Sequence, residues 1–278
     1  MGELRGMPVV KAMEKEFKEQ VSILKEKGIE PLLAVVRVGN REDDVAYENG
    51  IKKRFANVDA KVKVIELPLD IRQEEFDDVI ISLNNDEKVH GILVFCPLPK
   101  TLSMDRLKAV ISPLKDVDCI CMENVAKVFT GEKNAFAPCT PSAVMEILEH
   151  NNIELSGKKV VVVGRSMVVG KPLAMLLLSK NATVTICHTK TVDIEKECQN
   201  ADIIVACAGA AKMIKKTHVR RGQVVIDVGI NFLDGKMCGD VDYDEVSQIV
   251  DYITPVPGGV GTVTTSVLLK HVIFNAIN

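Results

Sequence analysis

A glycine-containing segment after four consecutive valines is the first candidate for chemistry in this sequence. Residues 160–163 are all valine and run directly into Gly164, Arg165 and Ser166, and Gly170 precedes an apolar run typical of a helix. Such a turn presents unpaired N–H groups and the positive end of a helix dipole, which suit a nucleotide phosphate. The spacing is GxSxxxG and not GxGxxG, so an ordinary strand, glycine turn and helix is the alternative.

The end of the next predicted strand bears on which nucleotide would bind. His188, Thr189 and Lys190 stand where a dinucleotide-binding domain specific for NAD carries a carboxylate for the ribose hydroxyls. Arg165 and Lys190 are instead placed to meet a 2′-phosphate. The sequence therefore favours NADP over NAD, with solvated surface charge as the alternative for both side chains.

Composition narrows the class of ligand. The chain has 278 residues and a formal net charge of -3, without a basic stripe for nucleic acid or a polybasic membrane patch. From this charge pattern we expect a small-molecule ligand and no nucleic-acid or membrane partner. We expect a cytoplasmic location, because neither a signal peptide nor an apolar run of roughly 20 residues is evident. The eight cysteines form no CxxC pair and the five histidines have no ligand spacing, so we expect reduced thiols and no metal.

The elements that would position these residues alternate between strand and helix. Helices are predicted at 7–27, 43–55, 73–83, 142–149, 192–198 and 262–277, and strands at 32–38, 61–67, 90–96, 160–163, 183–187, 203–207 and 224–228. Asp43 or Asp44 is the predicted N-cap of the second helix. Residues 113–138 look like a loop-rich crossing between domains. Alternation of this kind predicts an α/β fold with mostly parallel sheets, and the length suits two domains.

Six segments in order resemble the methylenetetrahydrofolate dehydrogenase/cyclohydrolase family. They are residues 138–141 (PCTP); Gly164, Arg165 and Ser166 with Val169, Gly170 and Pro172; Cys187, His188, Thr189 and Thr191; residues 225–231 (VIDVGIN); residues 239–242 (GDVD); and residues 254–261 (TPVPGGVG). The resemblance implies two α/β domains with a cleft between them, and a homodimer. Residues 1–138, completed by the C-terminal helix 262–278, would form the folate-binding catalytic domain. Residues 139–261 would form the Rossmann-like NAD(P)-binding domain.

The resemblance also implies which residues contact the ligands. Family members contact the cofactor through the positions of Gly164, Arg165, Ser166 and Ile230. The other predicted cofactor contacts are Gly170, Thr189 and Lys190. On the tetrahydrofolate side the family pattern places Tyr47 against the substrate rings and Asp118 on the pterin amino groups, since a carboxylate can accept two hydrogen bonds from such an edge. The remaining predicted substrate contacts are Pro97, Leu98, Pro257, Gly258, Gly259 and Val260. The alternatives are an aromatic on a helix face for Tyr47 and a turn-capping aspartate for Asp118.

Two positions depart from the family pattern more seriously than any others. The catalytic lysine of the family falls four residues after the tyrosine, where this chain has Ile51, and its glutamine partner is replaced by Phe95. Lys52 is adjacent to Ile51 and is the candidate to replace the missing lysine, so the predicted catalytic residues are Tyr47, Lys52 and Asp118. A shift of one residue, however, turns a helical side chain by about 100°.

These departures affect the two family reactions differently. Hydride transfer from the folate methylene bridge needs mainly positioning, whereas hydrolysis of the methenyl product needs proton transfer, for which a lysine is suited. We therefore expect an NADP-dependent dehydrogenase with weak or absent cyclohydrolase activity. The alternatives are the full bifunctional enzyme, a folate- and nucleotide-binding protein without activity, and a dehydrogenase for a small hydroxy acid.

Overall fold

The computed structural model describes residues 2–132 and 134–278, so that Met1 and Lys133 lie outside the described residues. The chain divides into two compact units. The three-stranded unit consists of Ala12–Ala137 and Thr265–Asn278, and the six-stranded unit consists of the residues up to Lys11 and Pro138–Thr264.

Strands and helices alternate along nearly the whole chain. The first half contains β1 (Gly2–Glu3), α1 (Gly6–Glu26), β2 (Leu32–Val38), α2 (Glu42–Ala56), β3 (Lys61–Leu67), α3 (Gln73–Asn85), β4 (Gly91–Val94), α4 (Met104–Val110) and α5 (Met122–Thr130). The second half contains α6 (Cys139–His150), β5 (Lys159–Val163), α7 (Gly170–Ser179), β6 (Thr183–Cys187), α8 (Ile194–Asn200), β7 (Ile203–Ala206), β8 (Val224–Asp227), β9 (Asn231–Leu233), β10 (Lys236–Cys238), α9 (Tyr243–Val246), β11 (Tyr252–Ile253) and α10 (Thr264–Ile277). Short 3₁₀ turns cover Lys216–His218 and Val260–Thr262. The predicted α/β class is confirmed.

The three-stranded unit is built on a parallel sheet in the order β3-β2-β4. Its central strand β2 is an almost continuous apolar run buried on both faces, as parallel strands covered by helices require. Helix α3 turns Phe76, Ile80 and Leu83 into the core on one side. Because β3 and β4 lie on opposite sides of β2, the strand order reverses between β2 and β4. In open α/β sheets ligands bind at such a reversal, beyond the carboxyl ends of the strands.

The six-stranded unit has a second parallel sheet, in the order β1-β11-β8-β7-β5-β6. Val160–Val163 of β5 are almost completely buried, which explains the run of four valines. The chain passes from β5 to β6 on one side and then to β7 on the other, so the order reverses between β5 and β7. The residues after these two strands therefore lie at the expected nucleotide position.

The structure corrects the predicted assignment of the first residues. The N-terminal segment was expected in the folate-side domain, but Gly2 and Glu3 pair in parallel with Tyr252 and Ile253 at the edge of the six-stranded sheet. The Gly6 N–H also donates to the Gly258 carbonyl oxygen at 2.8 Å. Edge strands of two residues carry too little sequence pattern to be recognised before the sheet is known.

One smaller expectation about local structure is wrong, and two local elements were not predicted. Helix α2 begins at Glu42 with Arg41 at the N-cap, so neither Asp43 nor Asp44 caps it. The region 113–138 contains α5, which ends at Gly131 with φ 73°, where glycine is favoured. The β9–β10 hairpin turns at Asp234 and Gly235, both with positive φ, and an Asp-Gly pair is a hairpin signal that the sequence analysis passed over.

One stretch is longer and more apolar than the sequence analysis allowed. Val260–Ile277 has the length and the mean hydropathy, 1.3, of a membrane span, and 56% of it is buried within the fold. Most of α10 is buried, including the polar side chains of Ser266 and His271. A buried core helix passes the same length and composition test, and the burial of α10 accounts for its apolar character.

Candidate functional site

The turn after β5 is shaped by two glycines that have no room for a side chain. Gly164 has φ 133°, and a Cβ there would overlap the carbonyl oxygen of Cys207, which follows β7. A Cβ on Gly170 would overlap the carbonyl oxygen of Gly164. The hydroxyl of Ser166 accepts a hydrogen bond from the Val169 N–H at 3.0 Å within the turn. The predicted phosphate-binding residues therefore meet at the reversal between β5 and β7, on the N-terminus of α7.

Basic side chains follow two neighbouring strands of the same sheet. Arg165 follows β5 and Lys190 follows β6, both are exposed, and β5 and β6 pair in parallel. Their strands therefore end at the same edge of the sheet. The Lys190 N–H donates to His188 Nδ1 at 3.1 Å, which orders the loop containing Thr189. This arrangement fits a 2′-phosphate near the ribose, and the residues directly after the two strands, Gly164–Ser166 and His188–Lys190, include no carboxylate that would repel it.

Two buried aspartates hold the neighbouring loops. Asp240 is fully buried, and its carboxylate accepts hydrogen bonds from the N–H groups of Ala208, Gly209 and Ala210 at 2.6–2.9 Å. The Asn231 side-chain amide donates to the same carboxylate at 2.9 Å. The GDVD segment therefore builds the loop after β7, a role that the sequence alone did not indicate.

Asp227, at the carboxyl end of β8, plays the same part on the next loop. Its carboxylate accepts hydrogen bonds from the N–H groups of Gly229, Asp240 and Val241 at 2.9–3.0 Å. Burial raises the pKa of Asp227 to about 6, although these three N–H groups favour the charged form. Gly239 is required because a Cβ there would overlap the Asp227 carboxylate.

A pocket of about 240 Å³ opens beside Asp227 in the six-stranded unit. It is lined by Ile230, by Met237 of β10 and by the loop that contains Pro257–Val260. Ile230 was predicted to contact the cofactor and the loop was predicted to contact the folate, so the structure brings these two sets of residues to one pocket. Thr254 anchors the loop, since its Oγ1 accepts a hydrogen bond from the Asp227 N–H at 2.7 Å. Met237 is a lining residue that the sequence analysis missed.

In the three-stranded unit, two aromatic rings meet at the reversal between β2 and β4. Tyr47 on α2 and Phe95, directly after β4, have ring centroids 5.6 Å apart at an interplanar angle of 38°. Phe95 is 7% exposed, whereas Tyr47 is 39% exposed and presents part of its ring to solvent. Ile51, one helical turn after Tyr47, is completely buried. An apolar surface therefore occupies the positions of the family's lysine and glutamine.

Lys52 belongs to a different set of contacts. Its Nζ lies 2.6 Å from Glu48 Oε1, and Glu48 Oε2 accepts a hydrogen bond from Arg37 Nε at 3.0 Å. Glu48 and Arg37 are both 3% exposed. Burial disfavours the Glu48 carboxylate, but hydrogen bonds from Lys52 and Arg37 lower its pKa below the usual range. The contacts of Lys52 thus place it on the Glu48 face of α2, adjacent to the face with Tyr47 and Ile51.

The two aspartates of the DVD segment differ in their surroundings. Asp116 is fully buried, and its carboxylate accepts hydrogen bonds from the N–H groups of Ile120 and Cys121 at 2.9 Å each. Asp118 is half-buried, and it lies close enough to Cys96 to affect that thiol. Burial, with a further contribution from the Asp118 charge, raises the pKa of Cys96. Asp116 therefore supports the loop.

The predicted residues Pro97 and Leu98 directly follow Cys96, so the structure collects four of the folate-side candidates, Tyr47, Pro97, Leu98 and Asp118, in one region of the three-stranded unit. Pro97 is exposed and Leu98 is half-buried. All eight cysteines are free thiols. Across residues 2–132 and 134–278, His, Cys, Asp and Glu side chains form no group of three that could hold a metal ion.

Family models match both parts of the chain. Residues 4–118 match the catalytic domain, and residues 138–278 match the NAD(P)-binding domain, of tetrahydrofolate dehydrogenase/cyclohydrolase. The "Bifunctional protein FolD" of Carboxydothermus hydrogenoformans is 52% identical over 273 residues, which is 97% of this chain and 95% of that protein. The protein of the same name from Clostridioides difficile is 52% identical over 271 residues, with 97% and 94% covered.

Solved structures of relatives have the same fold over nearly the whole chain. The crystal structure of the bifunctional dehydrogenase/cyclohydrolase FolD from Campylobacter jejuni is 41% identical, with a TM-score of 0.97 and 100% and 99% of the two chains covered. The Trypanosoma brucei FolD, solved with NADP and an inhibitor, is 37% identical, with a TM-score of 0.91 and 98% and 96% covered.

Proposed function

The chain belongs to the tetrahydrofolate dehydrogenase/cyclohydrolase family, and from that premise we propose that it oxidises 5,10-methylenetetrahydrofolate to 5,10-methenyltetrahydrofolate with NADP. The observation that carries the proposal is the pocket of about 240 Å³ at which Ile230 and the Pro257–Val260 loop meet. One set of residues is predicted to contact the cofactor and the other to contact the folate.

The chemistry of this step makes few demands on acid–base groups. Bound NADP supplies the nicotinamide that accepts the hydride. The methylene carbon is left as a cation that its two neighbouring nitrogens stabilise, so no side chain has to move a proton. Holding the reacting carbon against its acceptor is then the main contribution of the protein. Pro257–Val260 carry out this positioning through backbone that is fixed by the Gly6 N–H and by Thr254.

The nucleotide would be held at the turn after β5. Gly164 and Gly170 would let the pyrophosphate approach the backbone N–H groups at the start of α7, and Ser166 would contact it. Arg165 and Lys190 would pair with the 2′-phosphate, which supports NADP over NAD because the residues at the ends of the two strands, Gly164–Ser166 and His188–Lys190, offer no carboxylate for the ribose.

The folate would be held in the three-stranded unit. Tyr47 packs against the substrate rings with its exposed face, and Asp118 accepts hydrogen bonds from the pterin amino groups. Pro97 and Leu98 complete the contact surface. Lys52 is not required for this step, because it is engaged with Glu48.

We further propose that hydrolysis of the methenyl product is weak or absent in this chain. Hydrolysis requires attack by water and a group that transfers protons, and the position that the family gives to a lysine is the completely buried Ile51. Phe95 removes the polar partner at the same time, so neither change leaves an unpaired polar group. The full bifunctional enzyme remains the second candidate, with Lys52 or water in place of the family lysine.

The test measures NADPH formation from methylenetetrahydrofolate with NADP and with NAD. We expect rapid reduction of NADP, slower reduction of NAD, and loss of most activity in Asp118→Asn, with Asp105→Asn on the exposed surface of the same unit as a matched control. Tight binding of both ligands without NADPH formation would contradict the proposal and favour a binding protein. Failure to bind reduced folates would favour a hydroxy-acid dehydrogenase.

We also propose how the protein assembles and where in the cell it works. Membership of the family supports a homodimer in the cytoplasm that works without nucleic-acid or membrane partners. Sedimentation equilibrium of the full chain tests the first of these, and a mass of one chain across the micromolar range would contradict it.

A further inference from the structure

The aromatic contact between Tyr47 and Phe95 has no role in the chemistry described so far. Phe95 stands where the family carries a polar residue, and its ring lies 5.6 Å from that of Tyr47. We infer that Phe95 is a positioning residue, which holds the Tyr47 ring in place as the surface against which the reduced folate packs. The inference rests on the proposed function and adds a determinant of folate affinity to it.

The backbone of Phe95 is fixed by the sheet. Its N–H donates to the Val36 carbonyl oxygen at 3.0 Å and extends the β2–β4 pairing by one residue beyond Val94. The side chain is 7% exposed, so it has little freedom to move. Phe95 is therefore a rigid base for any ring that packs on it.

Tyr47 is fixed relative to this base through the start of its helix. Arg41 makes two hydrogen bonds to the Asp44 carboxylate, at 2.8 and 2.7 Å, and its Nη2 also donates to the Cys96 carbonyl oxygen at 3.2 Å. One side chain thus ties the first turn of α2 to the residue that follows Phe95. The two rings are held at their spacing from both sides.

The geometry of the pair is attractive, and part of the tyrosine remains exposed to solvent. Two aromatic rings attract each other when their centroids lie about 4.5 to 7 Å apart, and this pair falls within that range. Tyr47 keeps 39% of its surface exposed, so a ligand can pack on it. An exposed tyrosine that packed on no other ring would lose side-chain freedom when a ligand ordered it, and this loss would weaken binding. Because Phe95 orders the ring beforehand, removing Phe95 weakens folate binding without changing the hydride-transfer step.

The test measures binding of 5-formyltetrahydrofolate, a stable reduced folate, to the full chain by calorimetry. We expect Phe95→Leu to raise the Kd about three- to tenfold, as the loss of one aromatic pair predicts. In a Tyr47→Leu background the same substitution should change the Kd by less than about twofold, because its partner is already absent. Phe95→Tyr keeps an aromatic ring at this position and should keep the wild-type affinity. In turnover, Phe95→Leu should raise the KM for the folate and leave kcat unchanged.

Phe76→Leu is the matched control, since Phe76 is a fully buried phenylalanine in the core of the same unit. It should lower the Tm and leave the Kd unchanged, which separates positioning from general stability. An equal loss of affinity in both backgrounds, or no loss in either, would overturn the role of Phe95. A wild-type chain that binds NADP but no reduced folate would overturn the proposed function as well.

Discussion

Restoring the two missing polar residues should restore the second reaction of the family. In the double substitution Ile51→Lys and Phe95→Gln, the lysine projects from the same face of α2 as Tyr47, one turn away, and the glutamine offers it an amide oxygen. Burial would lower the pKa of this lysine, which suits it to accept a proton from water near neutral pH. We expect hydrolysis of methenyltetrahydrofolate to rise by about 10²-fold or more over wild type.

The structure also sets the cost in stability. Ile51 is completely buried, so Ile51→Lys alone should destabilise the three-stranded unit by about 3–5 kcal/mol through the lost apolar contact and an unpaired buried charge. Phe95→Gln should recover about 1.5–3 kcal/mol of that loss by accepting a hydrogen bond from the ammonium group. The two substitutions are therefore coupled, and a double-mutant cycle in urea measures the coupling.

The assay follows the decay of methenyltetrahydrofolate absorbance after subtraction of the uncatalysed rate. Ile51→Met with Phe95→Gln is the control, because it repeats the change in shape without a titratable group. A folded double variant that still reduces NADP but hydrolyses no faster than wild type would refute the reasoning. Equal hydrolysis in the methionine control would also refute it, because the lysine would then be irrelevant.

Three further predictions concern the nucleotide and the core. Arg165→Ala with Lys190→Ala should weaken NADP binding by about tenfold or more and leave NAD binding unchanged, as measured by calorimetry; equal losses for both nucleotides would contradict the assigned role. Gly164→Ala should abolish NADP binding or prevent folding of the six-stranded unit, because its Cβ overlaps the Cys207 carbonyl oxygen, and wild-type affinity in a folded variant would contradict this. Burial lowers the pKa of His271 from 6.5 to about 4, so the unfolded chain takes up the proton first and this group removes stability as pH falls from about 6.5 to about 4. His271→Asn should abolish a contribution of about 3 kcal/mol over that window, and a stability difference from wild type that does not vary with pH would contradict the assignment.

The fold could be predicted from the sequence wherever burial leaves a periodic pattern. The predicted strands 32–38, 61–67 and 183–187 coincide with β2, β3 and β6. Apolar residues nearly fill the first of these strands and mostly alternate with polar residues in the other two, which are the patterns that packing in a sheet produces. Strands β1 and β11 were missed because each has two residues and depends on pairing with distant parts of the chain. Pattern in a single segment cannot report such pairing.

The candidate site could be predicted only in part, for a related reason. The glycines at 164 and 170 carry their reason in the local turn, whereas Asp227 and Asp240 support loops that lie close only in the folded unit. The absence of a lysine at position 51 is visible in the sequence. The contact of Tyr47 with Phe95 requires the pairing of β2 with β4 and the orientation of α2, so only the structure reveals it.

The central claim is that this chain transfers hydride without hydrolysing the product. It is tested most directly by following NADPH and the folate products together in one reaction with methylenetetrahydrofolate and NADP. The account predicts that one methenyltetrahydrofolate accumulates for each NADPH, with formyltetrahydrofolate appearing only at the uncatalysed rate. Formyltetrahydrofolate that appears as fast as NADPH, in proportion to the amount of protein, would contradict it.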